Sequence, residues 1–184
     1  MPVTWFTADS HFHHAGMMSE RMHSRRSFPS VEAMNEHLIA NWNAVVGRGD
    51  TVWHLGDFAW KASLAQAQDV FRRLHGRKFL IRGNHDKVGE RLPWDAPVRD
   101  VAQIHVQDPG MAEPVALWLS HYAHRSWPRQ HKGTLHLYGH SHGALPPTGT
   151  SLDVGVDAWD LAPVALPQIL ARLAEAAARE GDAS

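Results

Sequence analysis

Five times along the chain, an apolar strand-like run stops directly on side chains of the kind that bind metals. VTWFTA (3–8) runs into Asp9 and His11, and TVWHL (51–55) into Gly56 and Asp57. KFLIR (78–82) runs into Gly83, Asn84, His85 and Asp86. VALWLS (115–120) meets His121, and TLHLY (134–138) is followed by Gly139, His140 and His142. The runs are short and rich in β-branched and aromatic residues, which reads as buried strand. Between the first three lie two segments of helical spacing. One carries Val31, Met34, Leu38, Trp42 and Val45, with Ser30 as N-cap and Gly47 as its end; the other carries Leu64, Ala67, Val70, Phe71 and Leu74, closed by Gly76. Strands alternating with helices predict an α/β chain, whose ligands bind outside the carboxyl ends of its strands. Any one junction could be an ordinary turn, since Gly, Asp and Asn are common there. His140 and His142 alone could merely share a solvated face. Five ligand-bearing junctions that can converge in space point to metal.

Elsewhere, residues 10–29 are polar and irregular, with Met17, Met18 and Met22 and the basic Arg21, Arg25 and Arg26, and read as a long loop or lid. One or two strands are expected over Val98 to Val106, a last central strand over Ser151 to Val156, and a final helix over Pro167 to Glu180. No repeat or linker divides the chain, so a single domain over 1–184 is expected.

Composition narrows the chemistry. Net charge is -1, which excludes an overall basic field for long nucleic acid. Cysteine is absent, excluding disulfides, thiolate nucleophiles and Cys-based zinc sites. Histidine is abundant at 15 residues, so a metal would be held by His, carboxylate or amide. The start MPVTWFTADSH has no signal pattern and no stretch reaches the ~18 apolar residues of a membrane span, so a cytoplasmic protein is expected.

The ordered set D-x-H, G-D, G-N-H-D, H and G-H-x-H, from Asp9 to His142, resembles the calcineurin-like metallophosphoesterase superfamily. TADSHFHH (7–14) and RSF (26–28) are similar to the T-x-D-x-H-F-G-H and R-P-F of its small bacterial and phage branch, with His13 where that branch has glycine. The resemblance implies a four-layer α/β/β/α sandwich of two mixed sheets with metals at the strand ends. It implies one metal on Asp9, His11, Asp57 and His142 and a second on Asp57, Asn84, His121 and His140, with Asp57 bridging. His85 would face the substrate and assist the transition state or leaving group, and Asp86 would orient it.

Such a site suits hydrolysis of a small phosphomonoester, phosphodiester or nucleotide. Two divalent ions give +4, Asp9 and Asp57 remove two, and the attacking bridging hydroxide one more, leaving about +1 toward an anionic substrate. The mixed N/O donors favour Mn foremost, then Fe, Ni or Zn. His14, Arg26, Arg125 and Lys132 are weaker candidates for substrate contact. The alternative is a nuclease on short or single-stranded nucleic acid, using RMHSRR (21–26) and exposed Trp60 or Trp127. A non-catalytic binding scaffold is the third reading, which an intact ligand set disfavours. No membrane partner is expected.

Overall fold

The computed structural model describes residues 2–182. Met1 and residues 183–184, which the single-domain expectation includes, lie outside them. Two helices begin on side-chain caps. The Ser30 hydroxyl accepts the Ala33 amide at 3.1 Å and starts α1 (Val31–Val45). Ser63 and Gln66 cap each other's main chain reciprocally and start α2 (Leu64–Arg73).

Both helices cover one sheet of order β3-β2-β1-β8. Here β1 (Thr4–Thr7), β2 (Thr51–His54) and β3 (Arg77–Leu80) are parallel, and β8 (Val164–Ala165) is antiparallel to β1. The second sheet has order β4-β5-β6-β7. Its β4 (Val101–Val106) is antiparallel to β5 (Val115–Ser120), which runs parallel to β6 (Leu135–Tyr138), as does β7 (Ser151–Asp153). The alternation of strand residues divides the core. Val52 meets Trp42 and Phe71 under the helices, while Phe6, Leu55, Leu117 and Leu137 fill the space between the sheets. Each of these four is wholly buried, contributing roughly 2 kcal/mol of transfer free energy.

α3 (Leu166–Asp182) docks on β1, β7 and β8. On the far face of the second sheet, residues 121–134, with one 3-10 turn at Gln130–Lys132, pack over His136 of β6, while Gln103 and His105 of β4 stay exposed. The two mixed sheets of the expected sandwich are present, and that outer layer is thin. Trp127 packs there on His136 and donates its indole N–H to the Thr134 carbonyl at 2.7 Å. It is buried, so it is not the exposed base-stacking residue expected from sequence.

The segment 10–29 is not a free lid. Met17 is completely buried in a 3-10 turn, Ala15–Met18, and its carbonyl accepts the Arg26 amide at 2.9 Å. Of the one or two strands expected over 98–106 only β4 forms, while Arg99 makes an isolated bridge to Ile81. The last strand, expected to be central over 151–156, lies at the sheet edge as β7 and stops at Asp153, where Val156 turns to donate to the Ala8 carbonyl at 3.0 Å. That bond and Leu55 N–H to Thr7 O at 2.7 Å gather the carboxyl ends of the strands at one edge. Among the described residues, no helix is long and apolar enough to cross a membrane.

Candidate metal centre

The chain bends sharply where β1, β2 and β6 end. Asp9, His11, Asp57, His140 and His142 all take positive φ, between 48° and 64°. Such a conformation costs an L-residue about 1–2 kcal/mol, so surrounding contacts must hold it. Close-approach glycines make room. A Cβ on Gly83 would collide with the Asp57 carboxylate, and on Gly139 or Gly155 it would lie 2.8 or 2.7 Å from Asp9 Oδ2. His13, standing where the resembling branch has glycine, adopts φ 66° and is held by Asn35, whose side-chain oxygen accepts its amide at 3.0 Å.

Two groups result, Asp9 with His11 and His142, and Asp57 with His121 and His140. Within each, the donor atoms lie within 4.8 Å of one another, close enough to hold a metal ion. Asp57 Oδ2 stands between them, 3.6 Å from His11 Nε2 and 3.6 Å from His121 Nε2. His121 Nδ1 donates to the Leu55 carbonyl at 2.8 Å, which leaves Nε2 as a lone pair. That lone pair faces Asn84 Oδ1 at 2.9 Å as well as Asp57. Three electron-rich atoms turned toward one another are stabilised by a cation. Asp9 shows the same need. Its Oδ2 accepts the His140 amide at 2.7 Å, but among the described residues its buried Oδ1 has no hydrogen-bond partner. Burial, then the charges of Asp153 and Asp57, push its carboxyl well above the usual range, a penalty that a nearby cation removes. Burial, followed by His142 and Arg26, lowers His11, keeping it in the neutral form that ligates. The residues present therefore fit divalent metal.

An outer layer secures the first group. His142 Nδ1 donates to Asp157 Oδ2 at 2.7 Å, and Asp157 accepts Arg26 Nε at 2.8 Å. Arg26 also donates to the Asp9 carbonyl at 2.6 Å and the Ser10 carbonyl at 2.7 Å. Burial alone would raise the Asp157 carboxyl, but hydrogen bonds from Arg26 and His142 outweigh it and hold it below the usual range. Arg26, expected to grip phosphate, is instead only 3% exposed and spent on these acceptors, as a buried guanidinium requires. Asp157 was not singled out in the sequence, although DVGVD (153–157) repeats the pattern of a carboxylate just past a strand. Asp153 also organises the loop, accepting Gly143 N–H at 2.9 Å and Gly155 N–H at 2.6 Å.

Asp86 does not orient the His85 ring. Its carboxylate accepts the amides of Asp57, Phe58 and Gly83, each at 2.8 Å, because two strand-end turns leave those donors pointing inward. His85 is placed otherwise: its amide donates to Asp57 Oδ1 at 2.8 Å and its ring stacks on Trp60, centroids 3.8 Å apart. Nothing in the sequence pairs Trp60 with His85. His14 is buried, 5.5 Å from the His11 ring and 4.2 Å from that of Trp60, and burial with Lys61 nearby lowers it to about 4. Arg125 and Lys132 lie exposed in the 121–134 segment and line none of the cavities beside the two groups.

The chain is similar to several known proteins. A protein called gene 66 protein in mycobacterium phage L5 is 30% identical, over 86% of this chain and 88% of its own length. Its counterpart in phage D29 is 31% identical, over 89% and 93%. An uncharacterized protein of Methanocaldococcus jannaschii is 40% identical over 93 residues, half of this chain and 51% of that protein, so the match spans about half of that relative's length. A solved protein of unknown function from Aquifex aeolicus has the same fold, with a TM-score of 0.66 at 22% identity over 92% of this chain and 98% of its own. Residues 2–144, which carry every candidate ligand, match the calcineurin-like phosphoesterase model, and the chain belongs to that family.

Proposed function

We propose that the chain works as a single domain that holds two divalent transition-metal ions, manganese foremost, and hydrolyses small phosphomonoesters or phosphodiesters. Asp9, His11, Asp57 and His142 would hold one ion, and Asp57, Asn84, His121 and His140 the other. The observation that carries this reading is Asp57 Oδ2, 3.6 Å from a histidine nitrogen of each group. A carboxylate is the side chain able to offer anionic oxygen to both sides, whereas Asn84 adds oxygen without further negative charge. Bound metals would supply an acidified water as nucleophile and neutralise the phosphate.

The chain's own residues do the rest. The Asp57 carboxylate is fixed through Oδ1 by the His85 amide, so bridge and candidate acid move as one unit. Trp60 holds the His85 ring by stacking, and the imidazole gives its proton to the leaving oxygen. Arg26 and Asp157 keep His142 in the tautomer whose Nε2 is free.

The test is hydrolysis of paired aryl phosphomonoester and phosphodiester substrates by metal-stripped protein refilled with manganese, with His85→Ala alongside. Cleavage by the wild type and a strong loss in the variant are expected. Protein that binds two ions and cuts neither ester would overturn the reading.

A further inference from the structure

Three cavities share a wall with the candidate ligands, and their charges differ. The one beside His142 is lined by Arg172 together with Asp153 and Asp157, one positive charge against two negative. Its arginine lies over the Trp159 ring and donates to the Ala158 carbonyl. The one beside His121 is lined by Arg82 and Asp100, which pair with each other. The third, of about 420 Å³, is bounded by Asn84 and His85 and lined further by Trp60, Lys61, Lys87 and Val88. It holds two lysines and no carboxylate. Among the described residues, neither lysine makes an ion pair within 4.0 Å. The Lys61 ammonium sits 5.2 Å from the Trp60 ring centroid, with His85 stacked on the same indole.

We infer that this cavity receives the leaving group, and that the preferred substrate is a phosphoester whose leaving group carries a second anionic group, a phosphate above all. The inference rests on the phosphoesterase reading of the adjoining centre. His85, the candidate proton donor to the leaving oxygen, forms part of the cavity wall, so what departs from that oxygen lies beyond it. Lys61 and Lys87 face that space uncompensated, and an anion there gains charge-assisted hydrogen bonds without having to displace a carboxylate. Trp60 is occupied by His85 and Lys61, so it serves as the support of the subsite rather than as a platform for a base.

The experiment compares aryl phosphodiesters of matched leaving-group acidity whose leaving ring is neutral or bears a phosphonate, using manganese-loaded full-length protein. Wild type should favour the anionic substrate by roughly tenfold or more in kcat/KM, the gain expected of hydrogen bonds to a charged partner. Raising the salt should shrink that preference. In Lys61→Gln/Lys87→Gln the preference should fall toward one, while Lys61→Arg/Lys87→Arg retains it. Equal rates on both substrates in wild type, or a preference untouched by salt and by the Gln pair, would overturn the inference while leaving the phosphoesterase reading intact. Failure to cut either diester would overturn the inference, and the phosphoesterase reading falls with it only if an aryl phosphomonoester is also left intact. A last arm separates the two sources of such a group: a dinucleotide with a phosphate on its leaving nucleoside against a small bisphosphorylated alcohol, each beside its form lacking that phosphate. Acceleration by the added phosphate in either pair supports the subsite and names its source, and none in either refutes it.

Discussion

Asp9, His11 and His142 are backed by a buried ion pair, Arg26 with Asp157, whereas Asp57, His121 and His140 are backed by main-chain groups, with the His140 side chain exposed. The His140 ring is bordered by Tyr122 at 4.6 Å and His121 at 5.2 Å between centroids. A ligand whose far nitrogen is held by a carboxylate is oriented before metal arrives, and losing that partner costs 10–100-fold in affinity as a rule. On the proposed function, His142 would be the ligand most firmly oriented before metal binds, and the exposed His140 the least.

Asp57 belongs to both sides of this comparison, so Asp57→Asn should have the largest effect. Turnover is expected to fall by about 10³-fold or more, and metal analysis should find fewer than two ions per chain. Two ions retained would mean that the groups are independent. Next comes His85→Ala, which should keep both ions and lose roughly 10²- to 10⁴-fold in rate on esters with poor leaving groups. A loss equally large with a very acidic leaving group would assign His85 to binding instead.

The comparison itself is sharpened by a pair of variants followed by metal titration. Asp157→Asn should weaken one ion by about 10–100-fold, and His140→Ala should weaken the other. If both variants release the same ion, the division into a backed and an open group is wrong.

The last effect is on stability rather than on metal or turnover, and concerns what lies under each group. Buried His54 bonds Ser10 at 2.9 Å, next to His11, and buried His136 bonds Ser120 at 2.8 Å, next to His121. Burial, reinforced by His121 for the one and His124 for the other, lowers both to about 3. Their unfolded values are near 6.5, so the unfolded chain binds more protons below that pH. Stability should hold above about pH 6.5 and decline as pH falls from there toward 3, by on the order of 1 kcal/mol per pH unit per histidine. Denaturant unfolding of the metal-free protein should show this slope, and His136→Gln should reduce it by about one proton. An unchanged slope would remove His136 from the account.

The candidate ligands could be read from sequence because each sits within a few residues of its strand, and strand ends are marked by local chemistry: GD, GNHD, GHSH. The elements followed for the same reason, with caps at Ser30 and Ser63 and alternating apolar runs. Less local features stayed hidden. β8 is two residues long, too short for any period to show. Arg26 looks like a free phosphate contact in sequence because its partner, Asp157, lies 131 residues away. Asp86 stands beside His85 in sequence, yet two of its three donors come from a different turn, 28 and 29 residues earlier.

By itself the sequence determined the α/β class, the five strand-end junctions and the donor types able to meet a metal, since these depend on residue chemistry and short-range periodicity. Tertiary structure alone decided which donors face each other, that Asp57 stands between the two groups, that Arg26 is buried rather than free, and that two lysines without carboxylate partners share the cavity bounded by His85. Those outcomes depend on burial and on distances between residues far apart in the chain, set when the two sheets close on a common core.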